Sequence, residues 1–124
     1  MIYRFSDLLN LQIIDYRLTG FMDTQRIERA EAFKKRTKKF VVDNIKFFRT
    51  LPKTEEAKII GRQLIRSSLS VGAYYRAACR TRSQAEFHAK LSIVVEEADE
   101  SLFWMEILVE AEIAKGSELD LLSD

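Results

Sequence analysis

Apolar positions recur along this chain at intervals of three and four, the spacing of helices that bury one face. The clearest run is Phe33, Thr37, Phe40, Val41, Asn44, Phe47, Phe48 and Leu51, which predicts a long helix over 23–50. Leu51-Pro52-Lys53 closes it, because proline cannot continue a helix and turns its predecessor away from the helical region. Thr54 then caps a second helix over 54–79, with Glu55 and Glu56 on the positive end of its dipole. Ile60, Leu64, Ser67, Ser68, Val71, Tyr75 and Ala78 trace its inward face. Small residues crowd its second half (Ser67, Ser68, Ser70, Gly72, Ala73, Ala77, Ala78) and allow close helix approach. Gly72 in mid-helix costs about 1 kcal/mol against Ala, which points to a packing reason.

Ser83-Gln84-Ala85-Glu86 reads as a capping box, and it opens a third helix over 83–114. Phe87, Leu91, Val94, Val95, Ala98, Leu102, Met105, Leu108 and Val109 give that helix a wide apolar face, and Lys115-Gly116 predicts its stop. Residues 117–124 read as the stub of one more helix. At the other end, Phe5, Leu8, Leu9, Gln12, Ile13 and Tyr16 fall at helical spacing over 4–18, with Thr19-Gly20 as the stop. Met22 is a candidate start, which makes residues 1–21 an N-terminal extension and 22–124 the domain. Three long helices with short links predict an all-α, antiparallel up-down bundle.

The composition agrees. A chain of 124 residues favours one domain, and only four Gly and one Pro leave few turns. The single cysteine, Cys79, excludes an internal disulfide and suits a reducing, cytoplasmic setting. No apolar run approaches the roughly 18 residues of a membrane span. Arg4, Asp7, Asn10, Gln12 and Asp15 interrupt the start, so it lacks the charged-then-apolar order of a signal peptide. The net charge of +1 is uninformative until it is mapped. Residues 1–82 hold 18 Lys/Arg against 8 Asp/Glu, and residues 83–124 hold 2 against 11. Such a split fits a basic working face, and equally a basic helix packed beside an acidic one.

Residues 33–40, Phe-Lys-Lys-Arg-Thr-Lys-Lys-Phe, concentrate the positive charge. At about 100° per residue the two phenylalanines join Thr37 and Phe47 on one side. Lys35, Lys38, Lys39, Lys46 and Arg49 gather opposite, with Arg36 at the border. The phenylalanines are therefore core rather than platforms for bases, and the cations form an outer strip. That strip is either merely solvated or a phosphate-binding surface, which needs several such charges together. Val42 lies amid it and hints at a subunit contact. A second set, Arg62, Arg76, Arg80 and Arg82, lies on the second helix and just beyond its end. Arg66 instead borders the packed face and is expected to form a structural ion pair with Glu97 and Glu100, which share a stripe with Trp104 on the third helix.

Catalytic constellations are missing. Bundle di-metal sites take two Glu-x-x-His motifs, and the lone His88 has Ala85 three residues before it, so no metal is expected. Cys79 sits at a helix end where Arg80 and Arg82 favour the thiolate and the helix C-terminus opposes it. No glycine-rich phosphate loop exists. The expectation is a non-enzyme without cofactor.

Several motifs occur in one order: Arg66-Ser67-x-x-Ser70-Val71-Gly72-Ala73-x-Tyr75-Arg76, then Ser83-x-x-Glu86-Phe87-x-x-Lys90-Leu91-x-Ile93, then Glu97-x-x-Glu100-x-x-x-Trp104. With Ile60, Gln63 and Leu64 upstream, and Phe40 through Leu51-Pro52 closing the first helix, the stretch 26–114 resembles the 23S rRNA intervening-sequence proteins. The resemblance implies four antiparallel helices and a ring-like homopentamer without enzymatic activity. Some members are encoded within intervening sequences of ribosomal RNA genes. A related branch, the accessory protein of diversity-generating retroelements, is a basic pentameric barrel that binds nucleic acid and a reverse transcriptase. Tyr74, Ala77 and Glu96 depart from the usual Asn, Glu and Lys of the family. The family's fourth helix should follow Gly116, so here it reads as truncated, or residues 4–18 take its place. The resulting expectation is an oligomeric bundle that binds RNA or DNA through Lys35, Lys38, Lys39, Lys46, Arg49, Arg62, Arg76, Arg80 and Arg82. The alternative is an adaptor whose basic face meets a neighbouring copy or another protein.

Overall fold

The computed structural model of the chain describes residues 24–122. Helix α1 spans Thr24–Thr50, α2 spans Glu55–Ala78 and α3 spans Gln84–Glu110, followed by a short 3-10 helix, Gly116–Leu122. Among the described residues the structure is all-helical. The helix expected over 4–18 lies outside them. From Gly116 the chain forms seven residues of 3-10 helix, which also packs against α1.

Local chemistry sets each boundary. Leu51-Pro52 breaks α1, and the Thr54 hydroxyl accepts the Ala57 N–H at 3.4 Å to open α2. The Ser83 hydroxyl accepts the Glu86 N–H at 3.1 Å. The Glu86 carboxylate reaches one residue further back than a standard capping box and accepts the Arg82 N–H at 3.3 Å. Helix α3 ends at Glu110, short of the expected Ala114. Glu112 takes a left-handed φ of 59°. Its N–H donates to Val109 O at 3.0 Å, and the Ile113 N–H donates to Leu108 O at 2.9 Å. Those two bonds make a Schellman cap, built here on a residue other than glycine. The stop expected at Lys115-Gly116 thus comes earlier, and Gly116 instead begins the 3-10 helix.

Helix α2 packs against both α1 and α3, more extensively against α3. Phe33, Phe40 and Phe47 from α1 meet Leu64, Val71 and Tyr75 from α2 and Leu91, Val94, Ala98 and Leu108 from α3 in one core. Burying a side chain as large as Phe47 contributes about 1.5–3 kcal/mol. Two glycines of α2 set the spacing to α1. A Cβ at Gly61 would meet Phe48 Cε2 at 2.7 Å, and one at Gly72 would meet Val41 Cγ2 at 2.7 Å. Gly61 thus lies beside Phe48 and Gly72 beside Val41, so α1 and α2 run antiparallel. The seam to α3 carries a polar contact: the Ser101 hydroxyl donates to Ser67 Oγ at 2.8 Å, and Ser67 donates to Leu64 O at 3.1 Å. Asn44 is fully buried on α1. Its Nδ2 donates to Phe40 O at 2.8 Å, while its Oδ1 accepts no hydrogen bond.

Candidate nucleic-acid interface

Every residue of the α1 strip (Lys35, Lys38, Lys39, Lys46, Arg49) is exposed, and so are Arg62, Arg76, Arg80 and Arg82. Exposure alone does not make a site. What matters is which of these cations two helices bring together. Between them α1 and α2 leave an open groove of ≈ 400 Å³ that both Lys38 and Arg76 line. Glu31, Lys34, Lys35 and Lys38 line its α1 side. Thr37, Val41 and Gly72 lie deeper, and Leu69, Ala73 and Arg76 line its α2 side. Leu69 keeps 45% of its surface exposed there.

The groove therefore gathers three of the nine candidate cations, Lys35, Lys38 and Arg76. Lys46 and Arg49 continue the strip along α1 outside it. Arg62 lies nearer the start of α2, and Arg80 and Arg82 lie in the turn beyond it. Sequence reasoning missed Lys34, Val41 and Leu69. No spacing within one helix announces them, because the groove exists only where two helices lie side by side.

Pairing sorts the cations further. Lys34 Nζ lies 2.7 Å from Glu31, and Lys39 is paired with Asp43 one turn on. Lys39 is therefore partly neutralised, and its i, i+4 partner is a signal the sequence carries. Among the described residues, no acid stands within ion-pair distance of the side chains of Lys35, Lys38, Lys46, Arg49, Arg62, Arg76, Arg80 or Arg82. Arg66 is different. Its guanidinium reaches Glu97 at 3.3 Å and also bonds Glu100, which in turn accepts the Trp104 Nε1–H at 3.1 Å. The Glu100 hydrogen bond, aided by the nearby Glu97 charge, holds the Arg66 pKa above its ordinary value. Arg66, Glu97, Glu100 and Trp104 thus form one network that ties α2 to α3.

The outer face of α3 has the opposite chemistry. Glu96, Asp99, Phe103 and Glu110 recur at helical spacing and are all exposed, with Phe103 keeping 49% of its surface. The Phe103 ring meets Trp104 edge-on at 4.9 Å.

Burial pushes the Cys79 thiol pKa up, more than its hydrogen bond with Tyr75 and the Lys34 charge lower it. Among the described residues, no group of three or more His, Cys, Asp or Glu side chains is placed to hold a metal ion. No helix among them is long and apolar enough to cross a membrane.

A family model described as 23S rRNA-intervening sequence protein matches residues 29–124. No curated protein and no solved structure matches the chain.

Proposed function

The chain belongs to the 23S rRNA-intervening sequence protein family, and from that premise we propose that it binds the phosphate backbone of RNA or DNA through the outer face shared by α1 and α2. In this reading it is a non-enzymatic, cytoplasmic four-helix-bundle protein that works as a homo-oligomer, a pentamer if it follows its family resemblance. One observation carries the proposal: Lys35 and Lys38 on α1 converge with Arg76 on α2 around one groove, with no described acid to pair them. Lys46, Arg49, Arg62, Arg80 and Arg82 extend the positive surface to either side. Such a face draws its affinity from counterion release, so binding must weaken steeply with salt. A filter-binding series from 50 to 300 mM salt with RNA and DNA tests this. Binding that is absent at low salt, or indifferent to salt, refutes it.

A second reading rests on a separate observation. Phe103 stands exposed among Glu96, Asp99 and Glu110 on α3, whereas Val42 and Leu69 stand exposed among cations on α1 and α2. These faces are complementary in charge and both carry apolar centres, so one copy's α3 suits the next copy's α1/α2 face. Contact of this head-to-tail kind generates a ring where its rotation closes and an open filament where it does not. The charge-reversal double variant K38E/K39E separates the two readings. It leaves the light-scattering mass unchanged and abolishes binding if the cations meet phosphates. It dissolves the oligomer if they meet a neighbouring copy.

A further inference from the structure

The α1/α2 groove joins two chemistries. Lys35, Lys38 and Arg76 supply cations, and Val41, Leu69 and Ala73 supply an apolar wall beside them. A base inside a duplex is covered by its neighbours on both faces and shows only its edges in the grooves. A duplex laid on this surface would therefore use the cations and leave the apolar wall wet. An unpaired base has a free face and can cover such a wall while its flanking phosphates reach the cations. The space is of the right order: ≈ 400 Å³ lies in the lower part of the range for small-molecule sites, about 300–1,000 Å³. Gly72 helps shape the groove, because it lets α2 approach Val41 closely and adds no side chain to the floor.

We infer that the groove seats single-stranded nucleic acid, with one base against Leu69 and Ala73 and the adjoining phosphates on Lys35, Lys38 and Arg76. This rests on the reading that the basic face meets phosphates, and it narrows that reading to a strand form. The wall is aliphatic, so the contact belongs near the low end of base-stacking effects, roughly a fivefold gain in affinity per seated base. Three cations acting on a single strand give a slope of log K against log salt of about −2.

The test is fluorescence anisotropy on the full chain, using unstructured 12-nucleotide RNA and DNA strands and the same sequences as duplexes. Single strands of either sugar should bind roughly fivefold more tightly than their duplexes. Ala73→Gln, on an exposed position, sets a polar, non-aromatic side chain over the apolar wall and should bring single-strand affinity down toward the duplex level. Leu69→Gln is the companion variant should A73Q fail to fold by circular dichroism, and it should cut the single-strand preference in the same direction. Equal affinity for single strands and duplexes overturns the groove assignment and leaves the broader reading standing. So does a loss in A73Q that is the same for both forms. A change in light-scattering mass in A73Q, without a change in binding, overturns it in favour of a second copy in the groove. Failure to bind either form at 50 mM salt removes both proposals together.

Discussion

Replacing Gly72 by alanine sets two effects of known size against each other. Alanine is worth about 1 kcal/mol over glycine in a helix interior. Against that, the new Cβ would stand 2.7 Å from Val41 Cγ2, closer than such atoms approach, with Thr37 O at 3.7 Å. Valine in a helix holds one dominant rotamer, so its methyl cannot swing aside cheaply. Overpacking of this kind costs about 1–3 kcal/mol. G72A should therefore come out neutral to about 2 kcal/mol destabilised. In a V41A background the obstructing methyl is gone, and the same substitution should stabilise by about 1 kcal/mol. The sign of the effect thus reverses with the partner, an interaction of about 1–3 kcal/mol in a double-mutant cycle. Urea unfolding followed by helical circular dichroism reads it directly. With m of about 1–3 kcal/mol/M, each kcal/mol moves the midpoint by roughly 0.3–1 M. G72A at Gly72 stabilising in both backgrounds, or destabilising equally in both, refutes the account of the α1–α2 seam. Gly61 is enclosed more tightly: its Cβ would meet Phe48 Cε2 at 2.7 Å, Phe48 Cδ2 at 2.9 Å and the buried Leu51 Cδ1 at 3.0 Å, so G61A should be at least as destabilising as G72A.

Other perturbations probe features away from that seam. Asn44→Leu replaces a fully buried amide whose oxygen accepts no bond, and it should stabilise by about 1–2 kcal/mol in the same urea assay, whereas Asn44→Ala should not. Glu112→Gly relieves a left-handed backbone that costs an ordinary residue about 1–2 kcal/mol, so the melting temperature should rise, provided the Schellman cap is as described. Burial raises the Cys79 pKa in the folded state, so the folded protein keeps that proton to higher pH than the unfolded chain does. Its contribution is complete below the ordinary thiol value of about 8.5 and is lost as pH rises through the folded value. Melting curves from pH 7 to 10 should accordingly fall more steeply for the wild type than for Cys79→Ala.

Much of this architecture was legible because it is written within single helices. Phe33, Thr37, Phe40, Asn44 and Phe47 fall at three and four, and all are buried. Thr54 and Ser83 mark helix starts through the one property a cap needs, a short side chain with an acceptor oxygen. Arg66 was readable as a border residue because its angle on α2 points past the core toward α3. The early end of α3 was not readable, since a left-handed cap usually announces itself with glycine and here falls on Glu112. The groove was not readable either. Val41 and Leu69 are ordinary apolar residues in their own helices, and only the crossing of α1 with α2 makes them one wall.

The opposed faces of the bundle bear on how the protein behaves as a colloid. With a net charge of only +1, copies at neutral pH gain almost no mutual repulsion to keep them apart. At the same time the cationic surface of α1 and α2 attracts the acidic surface of α3 on other copies. At low ionic strength that attraction acts over about 30 Å at 0.01 M salt, and at 0.1 M only over about 10 Å. The protein should therefore salt in. It should be least soluble in dilute buffer and disperse as salt is added, the reverse of what an apolar patch alone would produce.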